Sequence, residues 1–553
     1  MTTRGKIFLT FLILAVAGVG AWKWWEKLAP KAASTNSAPA SAEPKGVPVS
    51  PEKSGTVETQ FEVPPLAAPA AYLPKDNTLL IELSEYAGYA GLIAANNGLE
   101  ANENSIFFKK HGFKVKIVLS EEESWSALNA GKMAASATTV DVLAVQGKQF
   151  QVIVPAQIGF SRGADGIVVN NEIKRINSLK GKTLATSQFT EADFFIRYLA
   201  QEAGLGIHML ANLKEKPDPE NLNLIFCKDA FAAGDLFLQE INEGGNQLAG
   251  CVTWAPKTTE VATASKGKTH ILTTSLNLLV IADILIVNKG FAQQNPQMLL
   301  GLVDGLLEGN RRVRDNSSAQ LDIVSKAFKW TREQAKEELA KVHLSNLPEN
   351  MAFFSGAIDA AGSFGGIYQG AVYSYGSQLI KDPVDGDRFL NLQPLKSLEQ
   401  TGAFKEQKIA IAPIRTQGAA VEGDPILSKD IRFLFAANSA NLDLQDQNNL
   451  QNLEVIKKML QVSPGSTVLL RGHVDSSKVE EFRKTGGEAY VRTMAMRSIE
   501  LSKNRAAEIK RVLMEKYGIV SERLDILGRG WEEPIGSDPE KNRRVEVHWF
   551  TLE

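Results

Sequence analysis

Through the middle of the chain, short apolar runs of strand length alternate with helical segments. TLLIEL (78–83) is followed by the helical AGYAGLIAANNG (87–98), then FKVKIVLS (113–120), the helical SWSALNAGK (124–132) and the strand-like AASATTVDVL (134–143). This βαβ rhythm predicts a layered α/β fold. It continues through FQVIVPAQIG, GIVVNN, GKTLAT, a helix near 191–203, NLIFC, AGCVTWAP and DILIVN, then gives way to helices from about 296 to 380. A last block opens with IRFLFAA (431–437). It then alternates a helix (447–462), the strand STVLLRGHV, a helix (494–517) and the strands RLDILGRG and RRVEVHWF, predicting a small α/β sandwich.

The ends and joints differ in pattern. Residues 7–22 are apolar and uncharged, with Arg4 and Lys6 before them and Lys23, Trp24, Trp25 and Lys27 after. A spanning helix needs roughly 17 to 25 such residues, so 1–25 predicts a single-pass anchor in the inner membrane with tryptophans at the interface. A cleaved signal peptide is the alternative reading. No cysteine follows the run, which excludes a lipoprotein. Residues 26–76 are rich in Pro, Ala, Ser, Lys and Glu and predict a linker with a reach of roughly 40 to 150 Å. A second break, rich in Gly, Pro and polar residues, sets the expected boundaries: an α/β domain at 77–395, a linker at 396–425 and a terminal domain at 426–553.

Composition narrows the function. At 553 residues the chain is too long for one core, so several domains are expected. A net charge of −2 offers no basic surplus for nucleic acid. Cys227 and Cys251 are either paired or buried free thiols. The six histidines are scattered without metal-ligand spacing, and no GxSxG, P-loop or HExxH is present. Neither a cofactor nor enzymatic activity is expected. The glycine-rich GSFGGIYQG (362–370) reads as close helix packing rather than a phosphate loop.

The terminal block carries a specific set of motifs: LSxxRA at Leu501 to Ala506, a helix stop at Gly518, G-x-G-x-x-x-P at Gly528 to Pro534, NRRVE at Asn542 to Glu546, and GHVD at Gly472 to Asp475. Together they resemble the OmpA-like peptidoglycan-binding domain over about 120 residues. The resemblance implies that Asp475 and Arg505 clamp the diaminopimelate side chain of the peptidoglycan stem peptide, a carboxylate for its ammonium and a guanidinium for its carboxylate. Leu501 belongs to the same motif. Ser498 stands where that family has Asn, and Ala436 where it often has Asp. An inserted charged stretch, KVEEFRKTGGEAYVR, precedes the LS pair. Asn542, Arg543 and Arg544 read as structural, with Arg543 or Arg544 as a contact to the glycan.

In the middle block, GYAGLIAANNGL, ALNAGKMAASATTVDVL, INSLKGKTLATSQFTEADFFIRYLAQEAGL and CVTWAP occur in that order. They resemble the type 2 periplasmic binding proteins that serve uptake of alkanesulfonates, taurine, nitrate and thiamine precursors. The resemblance implies two α/β lobes closing on a small solute, with strand ends and helix N-termini facing the ligand. Candidate contacts are Tyr86 and Tyr89 after the first strand, Thr138 and Thr139, Ser187 and Thr190 ahead of a helix, and Trp254. Arg162 is a candidate for an anion.

The expected whole is a membrane-anchored, cell-wall-attached periplasmic solute-binding protein, serving an ABC-type permease of the inner membrane or a sensor. The alternative is an envelope scaffold whose binding domain recognises a protein or lipid while the terminal domain holds peptidoglycan. Motor stators share the anchor, linker and wall-binding plan, but they need a membrane carboxylate, and 7–22 has none.

Overall fold

The computed structural model describes residues 55–550 apart from 121–123, 357–361, 412–425, 430, 432, 434, 436–438 and 463–465. The expected anchor at 1–25 and Ala436 lie outside the described residues. Among the described residues, no helix is long and apolar enough to cross a membrane.

Sixteen strands are described in chain order: β1 Thr78–Leu83, β2 Lys114–Leu119, β3 Ala135–Thr139, β4 Val152–Ser161, β5 Asp165–Asn170, β6 Thr183–Ser187, β7 Ile207–Met209, β8 Leu222–Cys227, β9 Gly250–Trp254, β10 Thr269–Thr274, β11 Ala282–Asn288, β12 Val342–Leu344, β13 Leu427–Lys429, β14 Thr467–Gly472, β15 Leu524–Gly528 and β16 Val545–Phe550. They form three sheets, ordered β12-β4-β11-β3-β1-β2, β10-β5-β9-β6-β8-β7 and β13-β16-β14-β15. The first two are the lobes. The chain passes from lobe 1 to lobe 2 between Ser161 and Asp165, and returns between Thr274 and Ala282.

Within each lobe the strands that begin a βαβ unit pair in parallel: β1 with β2 and β3 in lobe 1, β6 with β8 and β9 in lobe 2. The returning strands β11 and β5 run antiparallel to their neighbours. Strand β11 is buried throughout, as its unbroken ILIV run requires. AASATTVDVL divides at Thr139: the residues before it form β3, and Val140–Gln146 is a helix with Asp141 in its first turn.

The helical region covers lobe 1. Helix Pro296–Asp315 crosses helix Ala90–Asn96 at a glycine contact, where a Cβ on Gly309 would lie 2.0 Å from the Gly91 carbonyl oxygen. Helix Phe364–Leu379 is capped by Ser363 and touches helices from both lobes. Close packing does not explain all its glycines, since a Cβ on Gly365 or Gly370 would meet nothing within 4 Å. Cys227 and Cys251 are buried free thiols beside Ile225 and Phe237 in lobe 2.

Where composition reads as linker, the structure has ordered surface contacts. Residues 55–76 run as an extended strap from lobe 2 to lobe 1. The Val57 amide donates to Phe226 O at 2.9 Å, Ala70 to Asn129 O at 2.9 Å and Tyr72 to Asn288 Oδ1 at 3.1 Å. Proline forbids helix and sheet interior here, but an extended chain still offers every non-proline N–H to acceptors on the surface beneath. After helix Gln393–Gln400, the amides of Ala410 and Ile411 likewise donate to the buried Glu349 carboxylate, at 2.8 and 2.9 Å.

In the terminal domain β14 is central, parallel to β15 and antiparallel to β16. The inserted stretch is helical and continuous with the motif helix over Val479–Tyr517, interrupted at Gly486 and Gly487. Gly487 sits at φ 64, ψ −165, a region open essentially to glycine alone. The interruption lets Phe482 fold back onto Tyr490 and Trp531, with ring centroids 5.9 and 6.2 Å away.

Candidate functional site

The two crossovers bring the carboxyl ends of the parallel strands of both lobes to one cleft, the position where open α/β sheets leave room for ligands. From lobe 1 come Ser84, Tyr86 and Tyr89 after β1, and Thr139 at the end of β3. Lobe 2 contributes Ser187 at the end of β6, Thr190 and Glu191 after it, Asp229 after β8 and Trp254 at the end of β9. The second crossover supplies Ile281, and the starts of β5 and β11, the strands into which the crossovers lead, supply Asp165 and Asp283. The cleft offers about 480 Å³ of space outside atoms, part of it open to solvent.

Six of the seven sequence candidates for the solute meet here: Tyr86, Tyr89, Thr139, Ser187, Thr190 and Trp254. Thr138 does not line the cleft, because neighbouring strand residues face opposite sides. Arg162 is also absent from the lining; it is buried, and its Nε donates to Leu276 O at 2.7 Å. Sequence reading missed the carboxylates. Asp283 stood in plain view as an acid at the head of an apolar strand, a placement that is costly unless it serves a purpose.

Asp283 is 2% exposed and accepts hydrogen bonds from the Tyr86 hydroxyl at 3.3 Å and the Tyr89 hydroxyl at 3.4 Å. The two rings meet edge to face with centroids 5.2 Å apart. Burial, with the nearby Asp165 charge, holds Asp283 well above the usual carboxylate range despite those bonds. Asp165 is pushed up to about 6 by burial, partly offset by Ser161. Behind Thr139, burial also pushes Asp141 up to about 7.

The turn after β6 is set by a buried ion pair. Asp193 Oδ1 takes Arg197 Nε at 2.6 Å, and Oδ2 accepts the amide of Phe189 at 3.1 Å, which holds that residue at φ 64. The Arg197 guanidinium lies 5.2 Å from the Tyr375 ring centroid, and the Tyr375 hydroxyl donates to Thr190 O at 3.3 Å. Thr190 stands at the N-cap of helix Glu191–Glu202 without bonding through its side chain to that helix; its hydroxyl donates to Ser187 O at 3.0 Å.

A second constellation lies in the terminal domain. Asp475 follows β14. Its Oδ1 accepts the Ser477 amide at 3.1 Å, and its Oδ2 lies 3.3 Å from Arg543. Burial opposes ionisation, but the bonds from Ser477 and Arg543 outweigh it and hold this carboxyl below its ordinary value. Arg505 is 4% exposed; its Nε donates to Ser439 O at 3.1 Å and its guanidinium lies 5.2 Å from the Phe435 ring centroid. Thus Arg543, not Arg505, bonds to Asp475, so Arg543 joins this group although its sequence reads first as structural. Ser498 is buried with its hydroxyl on Ala495 O at 2.8 Å, and Leu501 is half-buried. Asn542 holds the preceding loop through Ile535 N and Gly536 O, both at 2.8 Å. Arg544 pairs with Glu546.

Fold and cleft define a two-lobed α/β binding-protein architecture carrying a separate small sandwich at its carboxyl end. Residues 98–214 match the family described as NMT1/THI5 like, and residues 434–547 match the OmpA family; the chain joins these two domains. Outer membrane protein Omp38 of Acinetobacter baumannii is 24% identical over 145 residues, 25% of this chain, and the chain spans 36% of that relative's length. Among solved structures, the alkanesulfonate-binding protein SsuA from Xanthomonas axonopodis pv. citri bound to MOPS aligns with TM-score 0.43 and 14% identity, over 58% of this chain and 99% of its own. The periplasmic nitrate-binding protein NrtA from Synechocystis aligns with TM-score 0.42 and 12% identity, over 60% and 90%.

Proposed function

We propose that this is an envelope protein that binds a small solute between its lobes and is held to peptidoglycan by its terminal domain. The observation that carries the reading is the cleft itself, where side chains from the ends of β1, β3, β6, β8 and β9 converge at the crossovers. No nucleophile–base arrangement enters this reading; the cleft binds and releases. Residues 1–25 anchor the protein in the inner membrane, and the binding domain serves an ABC-type permease or a sensor in the periplasm. Asp475, Arg505 and Arg543 supply one carboxylate and two guanidinium groups to the zwitterionic end of a stem peptide.

Sedimentation of the full-length protein with purified cell walls tests the tether. The native protein should co-sediment, Asp475→Ala and Arg505→Ala should remain in the supernatant, and unchanged sedimentation of both variants would remove the wall-binding half of the proposal.

A further inference from the structure

The resemblance to binding proteins for sulfonates and nitrate implies an anion in the cleft, and the lining argues against one. Four lining residues, Asp165, Glu191, Asp229 and Asp283, carry carboxyl groups, and none is Lys, Arg or His. Asp229 is partly answered, since it caps helix Ala230–Glu243 through the Ala232 amide and lies 3.4 Å from the exposed Lys228 ammonium. Asp165 and Asp283 are 3% and 2% exposed, and neither is in an ion pair among the described residues. The side chains that bond to them carry hydroxyl groups: Tyr86 and Tyr89 for Asp283, and Ser161 for Asp165. The first turn of helix Glu191–Glu202 carries Glu191 and Asp193, so its N-terminal field already faces protein carboxylates. The nearby guanidinium of Arg197 is committed to Asp193 at 2.6 Å.

A second observation concerns the lobe 2 side of the cleft. Trp254 is 7% exposed and lines the space, and its indole Nε1–H has no hydrogen-bond partner among the described residues. A buried donor left unpaired costs roughly 1 to 3 kcal/mol, which an acceptor on a ligand would recover. Tyr86, Tyr89 and Trp254 also present aromatic faces, the surfaces that attract organic cations.

We propose that the cleft takes a small organic cation, its ammonium group seated at Asp283 and Asp165 and an acceptor atom of the same molecule meeting Trp254 Nε1. An organic ammonium is favoured over a metal ion because, among the described residues, no three His, Cys, Asp or Glu side chains come together to hold one. The ammonium supplies the positive charge that the two buried carboxyl groups lack, and closure of the lobes strengthens the attraction by removing water. This rests on the solute-binding reading above and names the chemical class of its ligand.

The test is thermal shift and calorimetry of the full-length protein with three sets of probes: ethanolamine, choline and putrescine; ethanesulfonate and nitrate; and glucose as a neutral control. At least one of the three cations should stabilise the protein, and Asp283→Asn, which keeps an oxygen for the tyrosine hydroxyls, should weaken that binding on the order of tenfold or more. Trp254→Phe should weaken ethanolamine or choline, which carry an acceptor, more than putrescine, which carries none. Stabilisation by ethanesulfonate, nitrate or glucose but by none of the cations would overturn the inference and leave the solute-binding reading standing. Cation binding unaffected by Asp283→Asn would also overturn it, and no binding by any probe would overturn it and count against the solute-binding reading as well.

Discussion

Replacing Asp193 with alanine tests whether the turn that carries Ser187, Thr190 and Glu191 is held by the buried ion pair behind it. Asp193 and Arg197 are 0% and 4% exposed, with Oδ1 and Nε 2.6 Å apart. Burial works against the aspartate's charge and Arg197 supports it. The pair is therefore close to balanced as a unit, whereas removing one member strands the other. Asp193→Ala leaves a buried guanidinium without its carboxylate and the Phe189 amide without its acceptor, at φ 64. Breaking one side of a buried pair costs about 3 to 5 kcal/mol, or about two to four orders of magnitude in the local folding equilibrium. The double variant Asp193→Asn with Arg197→Met keeps an acceptor for Phe189 and removes both charges, so most of the loss should be recovered. The assay is hydrogen exchange of peptides covering helix Glu191–Glu202, together with urea unfolding. A cost below about 1 kcal/mol for Asp193→Ala, or a double variant as unstable as the single one, would refute the reasoning.

Gly309→Ala would place a Cβ 2.0 Å from Gly91 O, forcing the helices apart at a cost of about 1 to 3 kcal/mol, read as a lower unfolding midpoint of lobe 1. Glu546 accepts from Arg544 and faces His473 and His548; although burial opposes it, these partners hold its pKa far below the ordinary 4.5. A depressed carboxyl contributes stability above its unfolded value that is lost as the pH falls, so the terminal domain should weaken in urea below about pH 4.5, and Glu546→Gln should flatten that dependence. Cation affinity should fall as the pH drops through about 6, where Asp165 takes up a proton, and binding should release protons from the carboxyl groups that face the ligand, Asp165 and Asp283. Buffers of different ionisation enthalpy would reveal that release in calorimetry; affinity unchanged from neutral pH down to about pH 5 would contradict it.

Much of the fold was legible because strand-length apolar runs and helical segments alternate with little ambiguity. VDVL departs from the expectation: four residues able to extend a strand become a helix because the chain turns at Thr139. Tyr86, Tyr89, Thr139, Ser187, Thr190 and Trp254 were candidates for the cleft because each lies at or just after the end of a parallel strand, and strand ends face the cleft. The carboxylates were not found that way. Asp165 opens β5 and Asp283 stands near the head of β11, and only the meeting of residues 118 positions apart makes an acidic site. For Arg543, read first as structural and otherwise as a glycan contact, the pairing with Asp475 was hidden for a related reason, since the two are 68 residues apart. The strap at 55–76 shows the limit of composition: proline content excludes a core, but not a surface path fixed by acceptors elsewhere in the sequence.

The central claim is that the cleft between the lobes binds a small molecule. Native mass spectrometry of the full-length protein purified without added ligand tests it most directly. The account predicts a defined adduct that denaturation releases, carrying a positive charge in solution, and absent from Asp283→Asn. A single ligand-free mass in the native protein, unchanged when the cation probes are added, would contradict it.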